Sequence, residues 1–134
     1  MFATSDYREL FALASKLDVP FTLHAGEAAG ADSVRCAIEM GARRIGHGVR
    51  AFEDDALLRL LKENQIPLEL CPTSNRQTNV VSDMKSYPLS DFVRRGLAVT
   101  LNTDNPAISS TTIANEFATL SLLVSHLHRK KRCF

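Results

Sequence analysis

The sequence predicts an α/β fold in which four short strands alternate with helices and pair in parallel. Short apolar runs alternate along the chain with segments whose apolar residues recur at helical spacing. Each apolar run is followed by polar residues, as is common at the carboxyl ends of parallel strands, where ligands bind. The chain has 134 residues, of which 45% are hydrophobic, so its length and apolar content suit one domain.

The predicted elements follow in regular order from the N-terminal end. A helix capped by Asp6 comes first. Four strands are expected at residues 19–23, 43–46, 66–70 and 97–101. Helices are expected at residues 32–40, 53–61, 88–96 and from Ile113 onward. Four βα units fit half of a (β/α)8 TIM barrel, whose usual length is about 250 residues, and they leave two open sheet edges.

Four polar side chains follow the predicted strands and carry the candidate chemistry. In a parallel sheet, ligands bind at the carboxyl ends of the strands, where His24, Glu27, His47 and Asp104 all fall. An imidazole and a carboxylate suit zinc, which makes His24 and Asp104 candidate metal ligands. His47 is a candidate base or orienting group for water, and Glu27 is a candidate acid that protonates a substrate.

Each of these residues also has an ordinary structural interpretation. His24 could be a hydrogen-bonded loop or edge residue, and His47, which lies between two glycines, could belong to a turn. Asp104 could begin a turn or a cap, and Glu27 could be a charge in a first helical turn. Their placement after successive strands favours a shared site, because packing alone does not require it.

The segment after the third strand is less specific. One class of zinc deaminases has the pattern H-x-E followed by P-C-x-x-C, and the spacing around Cys71 excludes that class. Cys71 is interpreted as a small apolar wall residue. Ser74 and Asn75 either donate hydrogen bonds in the site or hold the loop.

Composition and missing motifs exclude several other classes. A net charge of +1 gives no reason to expect a nucleic-acid partner, and the apolar runs are far shorter than the roughly 18 residues of a membrane span. No signal peptide is expected, and three widely spaced cysteines do not suggest a disulfide framework, so a cytoplasmic location is predicted. The sequence contains neither a phosphate-binding loop motif nor a serine nucleophile elbow, so phosphoryl transfer and serine hydrolysis are not supported.

The chain is predicted to form one domain over residues 1–125, followed by a basic tail at residues 126–134 that frays. The pair His126 and His128 in that tail is not expected to bind metal. Positions i and i+2 share a face on a strand but diverge on the helix predicted there.

Four segments together resemble the adenosine and adenine deaminase family of metal-dependent hydrolases. They are TLHAGEA (22–28), RIGHGV (44–49), ELCPTSN (69–75) and LNTDNP (101–106). Their order and spacing are similar to the fifth to eighth strands of that family's (β/α)8 barrel. The resemblance therefore implies the C-terminal half of a deaminase barrel.

The resemblance implies a role for each polar residue at the strand ends. His24 and Asp104 correspond to zinc ligands, and Asp104 also contacts the reacting water. Glu27 corresponds to the group that protonates the purine nitrogen N1, which makes C6 more electrophilic. His47 corresponds to the group that positions and deprotonates the water.

Two substrate-binding positions are also implied. Gly26 corresponds to the residue that lets the backbone approach the purine. Asn105 stands where the family usually has a second aspartate that contacts N7, and an amide can donate a hydrogen bond to that nitrogen. The implied reaction is hydrolysis of adenosine or adenine at C6, which gives inosine or hypoxanthine and releases ammonia. A related N6-substituted purine is an alternative substrate and would release the corresponding amine.

The chain lacks the family's N-terminal half, which carries an H-x-H pair that supplies two zinc ligands. Zinc, one ion per complete site, is therefore expected to bind weakly, and the isolated chain is expected to be inactive. One alternative is a non-catalytic half-barrel that binds a partner or self-associates through its open edges. Another is a metal-dependent hydrolase with a different substrate.

Overall fold

The structure is a computed structural model that describes the backbone of residues 4–130 and the side chains of residues 6–121. Four strands form one sheet: β1 (Thr22–Ala25), β2 (Arg44–His47), β3 (Leu68–Leu70) and β4 (Val99–Leu101). The strands pair in parallel and in chain order, β1-β2-β3-β4. The predicted α/β partial barrel of four βα units is confirmed.

Helices precede the first strand and follow every strand. They are α1 (Arg8–Lys16), α2 (Ala31–Glu39), α3 (Asp55–Glu63), α4 (Pro72–Gln77), α5 (Leu89–Arg95), α6 (Pro106–Ser109) and α7 (Ile113–Lys130). Short 3-10 segments lie at Thr4–Tyr7, Val49–Glu53 and Met84–Ser86. In the part of the chain with described coordinates, no helix is long and apolar enough to cross a membrane.

Several local predictions differ from the structure, and the bounds of β2, β3 and β4 lie one or two residues from the predicted ones. The N-cap of α1 is Tyr7 rather than Asp6, because a 3-10 turn precedes the helix and occupies the predicted cap position. The first strand begins at Thr22, since the Val19 amide still hydrogen-bonds to the carbonyl of Ala14 at the end of α1. Helices α4 and α6 were not predicted, because six and four residues are too short to show an apolar period.

The core lies between one face of the sheet and the helices that cover it. Ile45 and Leu68 occupy neighbouring positions on β2 and β3 and are fully buried. Leu57 and Leu61 of α3 and Phe92 of α5 are buried in the same apolar cluster. Burial alternates along β3, so Glu69 lies on the opposite face, which leads to the cleft described below.

The helix α1 has the predicted amphipathic pattern but no buried residue. Its leucines Leu10, Leu13 and Leu17 are 59%, 52% and 64% exposed. The leucine face that the sequence predicts to be packed is therefore exposed to solvent in this chain, whereas Phe11 on another side of the helix stacks on Phe21 and packs against the core.

At the other end, the α7 backbone continues to Lys130. The side chains of His126 and His128 lie outside the described residues, and residues 131–134 lie outside altogether. The boundary between a domain at residues 1–125 and a basic tail stays a prediction.

Candidate active site

An open cleft of about 550 Å³ lies at the carboxyl ends of the four strands. Its lining includes His24 from β1, His47 from β2, Cys71 after β3 and Asp104 after β4. The parallel register places the strand ends side by side, with His24 opposite Gly46 and Gly46 opposite Glu69. The topology therefore converts residues far apart in sequence into neighbours around one opening.

His24, Glu27 and His47 form the centre of the site. The Nε2 atom of His24 lies 2.9 Å from Oε2 of Glu27, and the two imidazole rings have centroids 4.3 Å apart. The Nδ1 atom of His47 lies 3.4 Å from Oε1 of Glu27. One potential ligand atom from each residue falls within 4.8 Å of the other two, which makes the group able to hold a metal ion.

Asp104 approaches this group from the side of β4. Its Oδ2 atom lies 3.9 Å from Nε2 of His47. The same oxygen accepts a 2.7 Å hydrogen bond from the hydroxyl of Ser74. Three of the four predicted residues, His24, His47 and Asp104, therefore line one opening, and Glu27 contacts the two histidines beside it.

His47 and Asp104 both adopt left-handed backbone conformations, with φ values of 62° and 59°. Such conformations are uncommon for residues other than glycine, and they concentrate at functional sites. Each turns the chain sharply as a strand ends. Gly48 also has a positive φ of 66°, and a Cβ at that position would lie only 2.6 Å from a methyl carbon of Leu68.

Burial controls the protonation of His47, whose exposed fraction is 3%. Desolvation lowers the pKa of His47 below its ordinary value, and the nearby carboxylate of Glu27 only partly opposes this effect. The neutral imidazole is therefore favoured, and a neutral ring can bind a metal or exchange hydrogen bonds with water.

Asn75 and Tyr87 connect to the same centre from behind. Asn75 is fully buried, and its amide nitrogen lies 3.0 Å from Nδ1 of His47 and 3.3 Å from Oε1 of Glu27. The hydroxyl of Tyr87 donates to the Asn75 carbonyl oxygen at 3.0 Å. From the sequence, Asn75 could serve either the site or its loop, and nothing indicates a role for Tyr87, because a lone tyrosine in a polar segment carries no pattern.

A buried carboxylate holds the loop that carries Ser74 and Asn75. Glu116 of α7 is fully buried and accepts hydrogen bonds from the Thr73 amide at 3.1 Å and the Thr111 hydroxyl at 2.7 Å. The sequence shows only an acidic residue in the first turn of a helix, which is usually a solvated charge. Its structural role was therefore not predicted.

The Cys71 thiol forms part of the cleft wall and is 4% exposed. Burial, aided by nearby carboxylates such as Asp104 and Glu27, raises the pKa of Cys71 to about 12. A thiol that stays protonated is a poor nucleophile and a poor metal ligand, which agrees with its interpretation as a wall residue.

Gly26 and Asn105, the two residues predicted to bind substrate, have structural roles in the described part of the chain. A Cβ at Gly26 would lie 2.5 Å from Cγ2 of Val34, so close packing requires glycine there. The side-chain oxygen of Asn105 accepts from the Ile108 amide at 3.2 Å and caps α6. Neither residue is among those that line the cleft, and their contacts with substrate stay predictions.

Parallel strands with converging polar groups at their carboxyl ends define part of an enzyme of the (β/α)-barrel class. Comparison with known proteins makes this more specific. The sequence matches the adenosine deaminase family profile over residues 2–132, and the chain belongs to the adenosine deaminase family.

The curated relatives are longer than this chain. An adenosine deaminase from Haemophilus ducreyi is 47% identical over 121 residues, which are 90% of this chain and 35% of the relative. One from Enterococcus faecalis is 44% identical over 120 residues, covering 90% of this chain and 36% of the relative. The chain therefore spans about a third of the length of these relatives.

Solved structures show the same likeness. An adenine deaminase from Arthrobacter aurescens superposes with a TM-score of 0.84 at 30% identity, over 90% of this chain and 37% of that one. The Arabidopsis protein ADAL in complex with IMP has a TM-score of 0.80 at 27% identity, over 90% and 35% of the two chains. An amidohydrolase from Burkholderia ambifaria with bound Zn, at 19% identity and a TM-score of 0.76 over 86% and 33%, shares the fold.

Proposed function

We propose that this chain supplies one side of the active site of a zinc-dependent hydrolase that converts adenosine and water to inosine and ammonia. The observation that carries the proposal is that His24, His47 and Asp104 line one cleft and Glu27 contacts both histidines, in a chain of the adenosine deaminase family. Adenine and N6-substituted purines are the nearest alternative substrates.

The donor atoms of the cleft fit a zinc ion. Imidazole nitrogen and carboxylate oxygen are preferred zinc ligands, and His24 and Asp104 are the residues that we assign to hold the ion. Bound zinc would supply Lewis-acid activation of water. Two ligands are fewer than the three that a catalytic site normally has, so this chain alone is expected to bind zinc weakly and to show little turnover.

Glu27 has the position and contacts of an acid that serves the substrate. Its Oε1 atom is held from behind by the Asn75 amide at 3.3 Å and lies 3.3 Å from the Thr78 hydroxyl. Its Oε2 atom points to His24 at the mouth of the cleft. We assign Oε2 to transfer a proton to the purine ring nitrogen N1, because protonation there makes C6 more susceptible to attack by water.

His47 and Asp104 serve the water molecule. They face one another across the cleft at 3.9 Å, a separation that leaves room for a shared hydrogen-bonding group. We assign them to orient the water for attack on C6.

A chimaeric enzyme tests whether this cleft supports deamination. Residues 6–121 of this chain would replace the matching segment of the Haemophilus ducreyi adenosine deaminase, to which the chain is 47% identical. The chimaera should convert adenosine to inosine, measured by ultraviolet absorbance and ammonia release. Glu27→Gln in the chimaera should lower kcat by about 10²–10⁴-fold, because a proton donor is lost while shape is kept.

Glu53→Gln is the matched control, since Glu53 lies outside the cleft and pairs with Arg50. A chimaera that folds and binds zinc but does not deaminate adenosine, adenine or N6-methyl-adenosine would contradict the proposal. Full activity of the Glu27→Gln variant would remove Glu27 from the mechanism.

A second candidate function is a non-catalytic half-barrel that self-associates. The exposed leucines of α1 and the outer edges of β1 and β4 favour it. Light scattering combined with metal analysis separates the two functions. Zinc-loaded protein that binds a purine supports the enzyme, whereas a metal-free dimer that binds no purine supports the alternative.

A further inference from the structure

A buried chain of polar side chains runs from Tyr87 through Asn75 to the two groups at the centre of the cleft. Tyr87 is 5% exposed and Asn75 is 0% exposed. The hydroxyl of Tyr87 donates to Oδ1 of Asn75 at 3.0 Å. The Nδ2 atom of Asn75 lies 3.0 Å from Nδ1 of His47 and 3.3 Å from Oε1 of Glu27. One amide therefore contacts both His47 and Glu27.

The contacts of Glu27 determine the orientation of the Asn75 amide. The Ser74 hydroxyl has one hydrogen, and its contact with Asp104 at 2.7 Å is far shorter than its 3.5 Å contact with Glu27. The Thr78 hydroxyl also has one hydrogen, and it lies closer to the Ser74 carbonyl oxygen, at 3.0 Å, than to Glu27. The Asn75 amide nitrogen has two hydrogens, enough for Glu27 and His47 together.

The opposite orientation of the amide is electrostatically unfavourable. Rotation by 180° would place the Asn75 carbonyl oxygen about where Nδ2 now lies, beside Oε1 of Glu27. Two oxygens that both accept hydrogen bonds would then face one another in a buried site. It would also turn the amide nitrogen toward Tyr87, whose hydroxyl would have to accept rather than donate. The amide nitrogen therefore faces His47.

From this geometry we propose that Asn75, held by Tyr87, is a positioning residue that places the proton of neutral His47 on Nε2. A neutral imidazole has one N–H and one acceptor nitrogen. Nδ1 lies closer to the Asn75 amide nitrogen, at 3.0 Å, than to Oε1 of Glu27, at 3.4 Å. With the amide N–H directed at Nδ1, that atom accepts a hydrogen bond, and the ring proton lies on Nε2. That atom faces Asp104 across the cleft at 3.9 Å.

The tautomer has a consequence for the reaction, and this step depends on the proposed function. With its proton on Nε2, neutral His47 donates a hydrogen bond to an oxygen in the cleft and does not accept one there. It then orients the attacking water as a donor, and Asp104 is the acceptor on the opposite side. This arrangement revises the role of proton acceptor that the sequence resemblance implies for His47.

Nuclear magnetic resonance of the full chain without metal tests the tautomer directly. Long-range ¹H–¹⁵N spectra would be recorded at about pH 8, above the ordinary histidine pKa of about 6.5, with His47 assigned by comparison with His47→Asn. A ring nitrogen without a proton resonates far downfield of one that carries a proton. We expect the downfield signal on Nδ1 of His47 and the upfield signal on Nε2.

Two variants alter the Asn75 amide or the hydrogen bond that holds it, and a third variant is the control. Asn75→Asp keeps the shape but replaces the donor by an acceptor, so it should move the proton of His47 to Nδ1. Tyr87→Phe removes the group that holds Oδ1 and should yield a mixture of tautomers. Thr78→Val removes a contact to Glu27 without touching His47, and it should leave the Nε2–H form unchanged. Backbone amide spectra establish that each variant is folded.

A proton on Nδ1 in the unsubstituted chain would overturn the proposal, as would an unchanged tautomer in folded Tyr87→Phe and Asn75→Asp. If Asn75→Asp does not fold, the unsubstituted chain and Tyr87→Phe still decide the outcome. The spectra require no deaminase activity. Failure of the proposed function would therefore leave this result intact, and a wrong tautomer would leave deamination by the chimaera intact.

Discussion

At the scale of single residues, the site uses backbone conformations that most side chains avoid. His47 and Asp104 both have positive φ values, and each such position costs about 1–3 kcal/mol in the folded state. The surrounding contacts hold them there: Asp104 accepts from Ser74, and His47 is packed against Asn75. These strained conformations direct the side chains of His47 and Asp104 into one cleft and lower the stability of the fold.

Glu27 lies close enough to His24 to be either a metal ligand or an acid, and zinc binding distinguishes the two roles. The 2.9 Å contact between Nε2 of His24 and Oε2 of Glu27 competes with a metal for the histidine nitrogen. If Glu27 is the acid, Glu27→Gln should not weaken the zinc affinity of the chain. His24→Ala should weaken it by at least about tenfold. Isothermal titration calorimetry measures both.

A tenfold loss of zinc affinity in Glu27→Gln would instead make Glu27 a ligand. The matched comparison is Glu53→Gln, which changes the same residue type outside the cleft and should leave zinc binding unaltered.

At the scale of elements, Asp54 joins the start of α3 to α2. Its carboxylate accepts from the backbone amides of Ala56 and Leu57 at 2.8 and 3.1 Å, and it pairs with Arg35 of α2. The hydrogen bond from Arg35, followed by that from the Leu57 amide, holds the pKa of Asp54 below its usual value. The charged form is therefore stabilised by folding.

This depressed pKa predicts how the stability of the chain depends on pH. The contribution of Asp54 is complete above its unfolded pKa of about 3.9 and is lost as the pH falls through the lower folded value. Asp54→Ala should therefore lower the free energy of unfolding at pH 7, and the difference should shrink in acid. Urea titrations at several pH values measure it.

Asp54→Asn is the informative control, because asparagine keeps the helix cap and loses only the charge. It should cost less than alanine. A difference between Asp54→Ala and the parent that stays constant down to pH 2 would show that the charge of Asp54 does not contribute.

Glu116 joins two other elements, α7 and α4, through a fully buried carboxylate. Glu116→Ala would leave the Thr73 amide and the Thr111 hydroxyl without their acceptor. We expect a loss of about 3 kcal/mol in the free energy of unfolding, because buried polar groups without partners are destabilising. Glu116→Gln keeps the volume and one acceptor, so it should cost less. Equal losses for both variants would contradict this explanation.

At the scale of the whole molecule, one side of the sheet is packed but the leucine face of α1 is not. Leu10, Leu13 and the C-cap residue Leu17 are exposed on one side of this segment, and β1 is an outer strand of the sheet. Exposed apolar surface and open strand edges both favour association with other chains.

We therefore expect the isolated chain to self-associate in a concentration-dependent manner. The double variant Leu13→Glu with Leu17→Glu should lower the mass measured by light scattering, because charge is placed on the apolar face. Ala12→Glu adds a charge on the opposite side of the same helix and should have no effect. A monomeric parent chain at high concentration would contradict this prediction.

The sequence alone determined the order of helices and parallel strands, because apolar periodicity is a local property of consecutive residues. It also determined that His24, Glu27, His47 and Asp104 would meet, since parallel strands bring their carboxyl ends to one edge. Only the tertiary structure decided which atoms face one another: that Asn75 and Tyr87 stand behind His47, and that Glu116 holds the neighbouring loop. Those contacts join residues 12 to 48 positions apart, and their geometry depends on how helices pack against the sheet, which no local pattern encodes.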